Sequence, residues 1–252
     1  MSGHSRWAGI KHKKAAIDSQ RGKVFTRIIR EIAVAARQGG GNPENNARLR
    51  KVMEMARESN MPQENIKKAL QRGMGELPGM TYEELVYEGY GPGGAAIICE
   101  ATTDNKNRSA SEIRKIFSSH GGNMGEGGCV SWMFAKRGYF TVNKKNAKED
   151  DLLSLVLESG AEDMKTEDAD IFEIITDPAD FEKVKTALES KNILLESAEI
   201  TLVANTYIPL EGKEAEQMLA LMEDLEGHDD VSNVYANFDI SEEFIERYST
   251  SK

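Results

Sequence analysis

Hydrophobic spacing divides the chain into two regimes. Up to about residue 75 the apolar residues recur every three or four positions, the period of an amphipathic helix; beyond Thr81, alternation and short apolar runs are interspersed with helical stretches. Ser19–Gln38 reads as one helix. Asp18 or Ser19 is the N-cap, and Gly39-Gly40-Gly41 stops it, because glycine takes the left-handed position after a helix cheaply. Phe25, Ile28, Ile29, Ile32 and Ala36 share one face of this helix, and Lys23, Arg27, Arg30 and Arg37 share the opposite one, interrupted by Glu31. A second helix is predicted from Asn42-Pro43, with Leu49, Val52, Met53 and Ala56 inward. Pro62 opens a third, with Ile66, Ala69 and Leu70 inward, Lys67, Lys68 and Arg72 outward, and Gly73 closing it. The short Ser59–Pro62 link permits a helix-turn-helix reading, although many small bundles have such a link.

From Thr81 the pattern becomes α+β. Leu85–Gly89 and Ala95–Thr102 read as strands joined by Tyr90-Gly91-Pro92-Gly93-Gly94, and a helix follows over about 109–119 with Ile113, Ile116 and Phe117 inward. Tyr139–Val142, a helix at Asp150–Ser159, strands at Glu162–Thr166 and Ile171–Ile175, a helix opened by Asp177-Pro178, and a strand carrying Ala198, Ile200 and Leu202 give the order βαββαβ, that of a ferredoxin-like unit. A helix at Glu211–Glu226 and a strand at Val231–Phe238 remain, and these complete the earlier ββα. The fold class predicted is therefore α+β: an N-terminal three-helix domain plus two α+β domains, one of them ferredoxin-like and inserted in the other. The boundaries are an arm at 1–17, a helical domain at 18–80, a discontinuous domain at 81–137 plus 205–240, the insertion at 138–204, and a C-terminal tail at 241–252.

Charge changes this picture most. The whole chain of 252 residues carries a net charge of −10, which taken alone argues against a nucleic-acid partner. Its distribution argues the reverse. Residues 1–80 carry +9 and residues 81–252 carry −19; residues 146–252 alone carry −20. A basic helical head on an acidic body is the signature of a segment that faces a polyanion. The arm Ser2–Lys14 adds Arg6, Lys11, Lys13 and Lys14 with His12 and no acid; these can neutralise phosphates, and Trp7 can stack on an unpaired base. The candidate nucleic-acid-binding residues are Arg6, Trp7, Lys11, His12, Lys13, Lys14, Lys23, Arg27, Arg30 and Arg37.

Other chemistry finds little support. Gly89-Tyr90-Gly91-Pro92-Gly93-Gly94 matches a dinucleotide fingerprint only formally, since a strand rather than a helix follows it, and it reads as a hairpin turn. Gly121–Gly128 lacks the Lys-Ser/Thr ending of a phosphate loop and reads as a turn between domains, with an anion nest as the alternative. His4 and His12 match no common metal spacing. His228-Asp229-Asp230 reads as a loop after a helix, with weak cation binding as its alternative, and Cys129 as a small apolar residue. Two cysteines make no disulfide framework, no apolar run is long enough to span a bilayer, and no secretory signal is present, so a cytoplasmic protein without cofactor or metal, and not an enzyme, is expected.

Several segments together resemble a known family. They are Ser2-Gly3-His4-Ser5-Arg6-Trp7 with Ile10-Lys11-His12-Lys13-Lys14; Arg21-Gly22-Lys23-Val24-Phe25-Thr26-Arg27 with Ile29-Arg30-Glu31-Ile32; and Glu88–Gly94 with Thr103-Asp104-Asn105-Lys106-Asn107-Arg108. Asn60-Met61-Pro62 and Gly128–Phe134 add to them. The chain resembles the YebC family of bacterial regulators and the related mitochondrial translational activator of cytochrome oxidase. Gly9 and Cys129 depart from the usual Asn and Ser, away from the basic positions. The resemblance implies a three-domain cytoplasmic protein around a central cleft; members are described as DNA-binding transcriptional regulators, and some are associated with ribosomes and translation.

Three functions remain open on these grounds. One is a DNA-binding transcriptional regulator using the basic arm and first helix. A second is a ribosome-associated translation factor holding ribosomal RNA with the same residues. The third is an interaction scaffold whose acidic body contacts basic proteins of the transcription machinery or the ribosome. No membrane partner is expected.

Overall fold

The computed structural model describes residues 18–79, 81–168 and 170–250. Three helices come first: α1 (Asp18–Gly39), α2 (Ala47–Glu58) and α3 (Gln63–Gly73). The first stops where Gly40 adopts φ +82°. The second starts later than its Asn-Pro signal suggests. Asn46 caps it, accepting from Leu49 N at 3.0 Å, while its Nδ2 donates to Ala35 O and Gly40 O at 2.8 and 2.9 Å. That buried asparagine ties the start of α2 to the end of α1, which Asn42 in the preceding turn does not do. Ile28, Ile32, Leu49, Val52, Ala56 and Ile66 form the core of the helical domain. Gly73 does more than close α3: a Cβ there would lie 2.9 Å from Ala33 Cα, so its missing side chain lets α3 cross close to α1.

The middle sheet is built from β1 (Glu83–Tyr90) and β2 (Ala96–Thr103), an antiparallel hairpin with a 3-10 turn at Pro92–Gly94. The turn expected from the sequence is present, and no helix N-terminus follows it to hold a dinucleotide. Next come α4 (Lys106–Ser119), which starts earlier than expected because Asn105 caps it, and the short β3 (Asn123–Met124).

The ferredoxin-like unit follows. It consists of β4 (Phe134–Asn143), α5 (Glu149–Glu158), β5 (Ala161–Lys165), β6 (Ile171–Thr176), α6 (Phe181–Ser190) and β7 (Leu195–Ala204). Its sheet order is β5-β6-β4-β7, antiparallel throughout. Phe140, Val142, Leu152, Val156, Ile174 and Leu188 fill its core, with Phe140 and Phe181 stacked at 4.7 Å. Asp177-Pro178 forms a turn ahead of α6 instead of opening it, Asp177 Oδ1 accepting from Ala179 N at 2.9 Å. β4 begins at Phe134, before the expected Tyr139, because β4 and β7 run on as a ribbon down to the Phe134–Ala204 pair.

The chain then returns to the middle domain through β8 (Ile208–Pro209), α7 (Gly212–Gly227), β9 (Val231–Ala236), β10 (Phe238–Asp239) and α8 (Glu242–Thr250). β9 pairs with β2, giving the order β3-β1-β2-β9. The segment after 240 is not a tail: Ile245 of α8 is fully buried in the middle core, and Phe244 and Tyr248 pack against it.

The two faces of the middle sheet have different partners. One packs Ile97 and Cys99 against Ile113 and Phe117 of α4 and Met218 and Leu221 of α7. The other has two attachments. At one end Ala96 and Ile98 join Val130, Phe134 and Ala204 in an apolar cluster that fixes the inserted domain. At the opposite end Thr102 and Glu84 meet Glu31 and Arg48 of the helical domain. Between them lie Val86, 55 % exposed, and Glu100, which accepts from Asn233 and Tyr235. No helix among the described residues is long and apolar enough to cross a membrane.

Candidate nucleic-acid interface

The basic stripe of α1 is real, but three of its four side chains are engaged by the body of the protein, and Arg27 and Arg30 are half-buried there. The last carbonyls of a helix have no partner within it and carry roughly half a negative charge. The C-terminal end of α7 presents such carbonyls, and α1 lies across it. Lys23 Nζ donates to Gly227 O at 2.8 Å. Arg27 Nη2 donates to Glu226 O and, at 3.2 Å, to His228 O. Arg30 Nη1 reaches Asp229 O at 2.7 Å and Asp230 Oδ1 at 2.6 Å, with its guanidinium over the Tyr82 ring. Of the four stripe residues only Arg37 makes no such contact among the described residues, and it is exposed. Of the four candidate phosphate-binding residues on this helix, Lys23, Arg27 and Arg30 are therefore engaged within the protein. A helical wheel shows which residues leave the helix's own core, not which neighbour receives them.

Arg27 is the extreme case. Burial pulls its pKa below that of a free guanidinium, against the opposing charges of Glu226 and Asp229, and its Nε is buried with no partner among the described residues.

Asp230 is the hub of the contact. It is 2 % exposed and accepts from Arg30, from Arg108 Nη2 at 2.9 Å, from Ser109 Oγ at 2.5 Å and from Thr103 Oγ1 at 3.0 Å. Burial alone would raise its pKa. The hydrogen bonds from Ser109 and Arg108, the charge of Arg30 and the bond from Thr103 outweigh that and hold it at about 2. A second ion pair lies beside it: Arg48 bridges Glu31 and Glu84, and Gln38 also donates to Glu84. Hydrogen bonds from Arg48 push the Glu84 pKa down in spite of partial burial.

Glu112, His228 and Asp230 bring three potential metal-ligand atoms within 4.8 Å of one another. Their donor set suits a latch better than a cation. His228 Nδ1 accepts from Asp230 N at 3.1 Å, which leaves its proton on Nε2, facing Glu112 at 2.9 Å. Two guanidinium groups already face Asp230. The glycine-rich loop is likewise occupied by the protein itself. The buried Glu88 carboxylate accepts from Gly128 N, Val130 N and Ser131 N, each at 2.8 Å, so these amides serve an internal anion. Those bonds lower the Glu88 pKa against the effect of burial. Cys129 is half-buried, and burial raises its pKa away from thiolate reactivity.

Beyond Arg37, and Lys23 whose ammonium is held by Gly227 O, the exposed basic residues among the described part of the helical domain are Arg50, Lys51, Arg57, Lys67, Lys68 and Arg72. Lys67, Lys68 and Arg72 are legible as outward from the sequence. Arg50, Lys51 and Arg57 were missed, although their positions off the Leu49, Val52 and Ala56 face of α2 carry the same signal. Arg6, Trp7, Lys11, His12, Lys13 and Lys14 lie outside the described residues.

Fold and surface thus define a three-domain α+β protein with a basic helical head latched to an acidic body. The chain belongs to the TACO1/YebC family: residues 5–76 match the TACO1/YebC protein N-terminal domain and residues 82–238 its second and third domain. It is 61 % identical over 248 residues to a protein of Endomicrobium trichonymphae, covering 98 % of this chain and 99 % of that one. It is 54 % identical over 250 residues to one of Dictyoglomus turgidum, covering 99 % and 100 %. Both relatives are named "Probable transcriptional regulatory protein". The crystal structure of a conserved hypothetical protein from Aquifex aeolicus superposes with a TM-score of 0.77 at 45 % identity, covering 90 % of this chain and 93 % of that one.

Proposed function

We propose that the protein is a DNA-binding transcriptional regulator, not an enzyme, and that it works in the cytoplasm through its basic helical head. The observation that carries the reading is the set of exposed cations on that head, Arg37, Arg50, Lys51, Arg57, Lys67, Lys68 and Arg72, on a chain whose remainder is strongly acidic. Phosphate contact by lysine and arginine supplies most of the affinity of sequence-tolerant DNA binding, and the acidic body keeps other surfaces off the backbone. The names of the relatives in Endomicrobium and Dictyoglomus support a regulatory role.

The test is crosslinking in cells followed by sequencing of the bound nucleic acid. Promoter DNA is expected; recovery of ribosomal RNA instead would overturn the reading. In solution, contact with about six phosphates gives log K against log salt a slope of about −5 on duplex DNA. A slope near zero would exclude backbone contact.

A further inference from the structure

The helical domain is attached differently from the inserted one. The inserted domain shares an apolar cluster with the middle sheet, whereas none of the four apolar clusters among the described residues takes side chains from both the helical domain and the rest. The hydrogen bonds and ion pairs that reach the rest of the chain come from Lys23, Arg27 and Arg30 on the end of α7 and Asp230, and from Arg48 on Glu84; of the apolar residues on that face of α1, Val34 is buried but joins none of the four clusters. Polar interfaces between domains are the ones that open. The groups they occupy here are also of one kind. Three cations that protrude from a single helix face are spent on carbonyl oxygens and one carboxylate.

A phosphodiester is a better partner for a guanidinium than a carbonyl is, because it carries a full charge and accepts two parallel hydrogen bonds. We propose that the docked arrangement is a closed state in which Lys23, Arg27 and Arg30 are withheld, and that a nucleic-acid backbone opens it by taking these three side chains from α7. The proposal rests on the nucleic-acid reading above and adds its regulation: docking of the head and full engagement of the backbone exclude one another. Linkage then requires that weakening the latch tightens binding, since the apparent affinity is reduced by the fraction of molecules in the competent state. It also requires that the nucleic acid separates the domains.

The experiment uses the full chain with Cys129→Ser and with fluorophores on Met55→Cys in α2 and Glu216→Cys in α7; Cys99 is fully buried and stays unlabelled. A short mixed-sequence DNA duplex is the probe. Duplex addition is expected to lower energy transfer between α2 and α7. Asp230→Asn is expected to bind about threefold tighter or more than Glu182→Gln, a control that removes one negative charge from an exposed position on α6. Asp230 also supports its own loop, so Glu84→Ala, at the rim of the sheet, provides a second release of the latch and is expected to shift affinity the same way. Duplex binding with unchanged energy transfer, and with neither variant tighter than the control, overturns the switch and leaves the DNA reading standing. Absence of duplex binding by every chain overturns both.

Discussion

Arg30 Nη1 lies 2.6 Å from Asp230 Oδ1, joining the first helix to the turn before β9 across 200 residues of sequence. The arginine is 13 % exposed and the aspartate 2 %. At that depth the loss of one partner leaves the other charge poorly compensated, which costs more than the loss of a surface pair. Arg108 remains on Asp230 in Arg30→Ala, so the cost is moderated to about 2 kcal/mol of docking. Limited proteolysis is expected to cut the exposed segment at residues 74–79, between α3 and β1, faster in this variant. An unchanged cutting rate would show that Arg30 does not hold the head.

Asp230 sets an acid limit. Its pKa is about 2 in the folded chain against an ordinary 3.8, so its contribution is fully present above pH 3.8 and is lost as pH falls toward 2. The difference in Tm between the parent and Asp230→Asn is expected to be constant above that window and to shrink within it. A difference independent of pH down to the folded value would rule out the carboxylate as the source.

Arg27→Glu combined with Arg30→Glu places two carboxylates against the end of α7 and Asp230. Both side chains leave the face opposite Ile28 and Ile32, so the helical core is spared while docking is repelled. Small-angle scattering is expected to show an expanded particle with unchanged helical circular dichroism. A loss of helical signal would mean that these arginines support the bundle itself.

Glu88 organises the loop into the inserted domain. Glu88→Ala removes the acceptor of three amide hydrogen bonds, including that of the buried Val130. The expected loss is about 3 kcal/mol, from donors left without partners. Urea denaturation measures it; a loss below about 1 kcal/mol would imply that the loop finds other acceptors.

Gly73→Ala tests the close crossing of α1 and α3. The added methyl meets Ala33 backbone and Ala36 Cβ at 2.9 Å, and backbone cannot move aside as a flexible side chain can. Destabilisation by about 1–3 kcal/mol is expected in thermal melts, although alanine favours helix at most other positions.

Local patterns made much of the fold legible. The Phe25–Ile32 stripe, the glycine stop, the Pro92–Gly94 hairpin and the βαββαβ order each depend on near neighbours in sequence. What escaped depended on distant partners. Asn42 and Asn46 are equally good caps by type, and only the carbonyls of Ala35 and Gly40 single out the second. Ile245 reads as part of a polar tail until the middle core is there to bury it. Likewise, Arg27 and Arg30 carry a charge pattern suited to phosphate, and nothing near them in sequence announces that the carbonyls after Glu226 will claim them first.

The inserted domain enters on Phe134 and leaves on Ala204, and these two residues pair across adjacent strands. Its ends therefore emerge side by side, at the apolar cluster that seats it on the middle sheet. A cassette with adjacent ends can be removed, or exchanged for another of different charge, without stretching the sheet that hosts it. The architecture therefore leaves the head and its contacts with the middle domain untouched when that unit is exchanged.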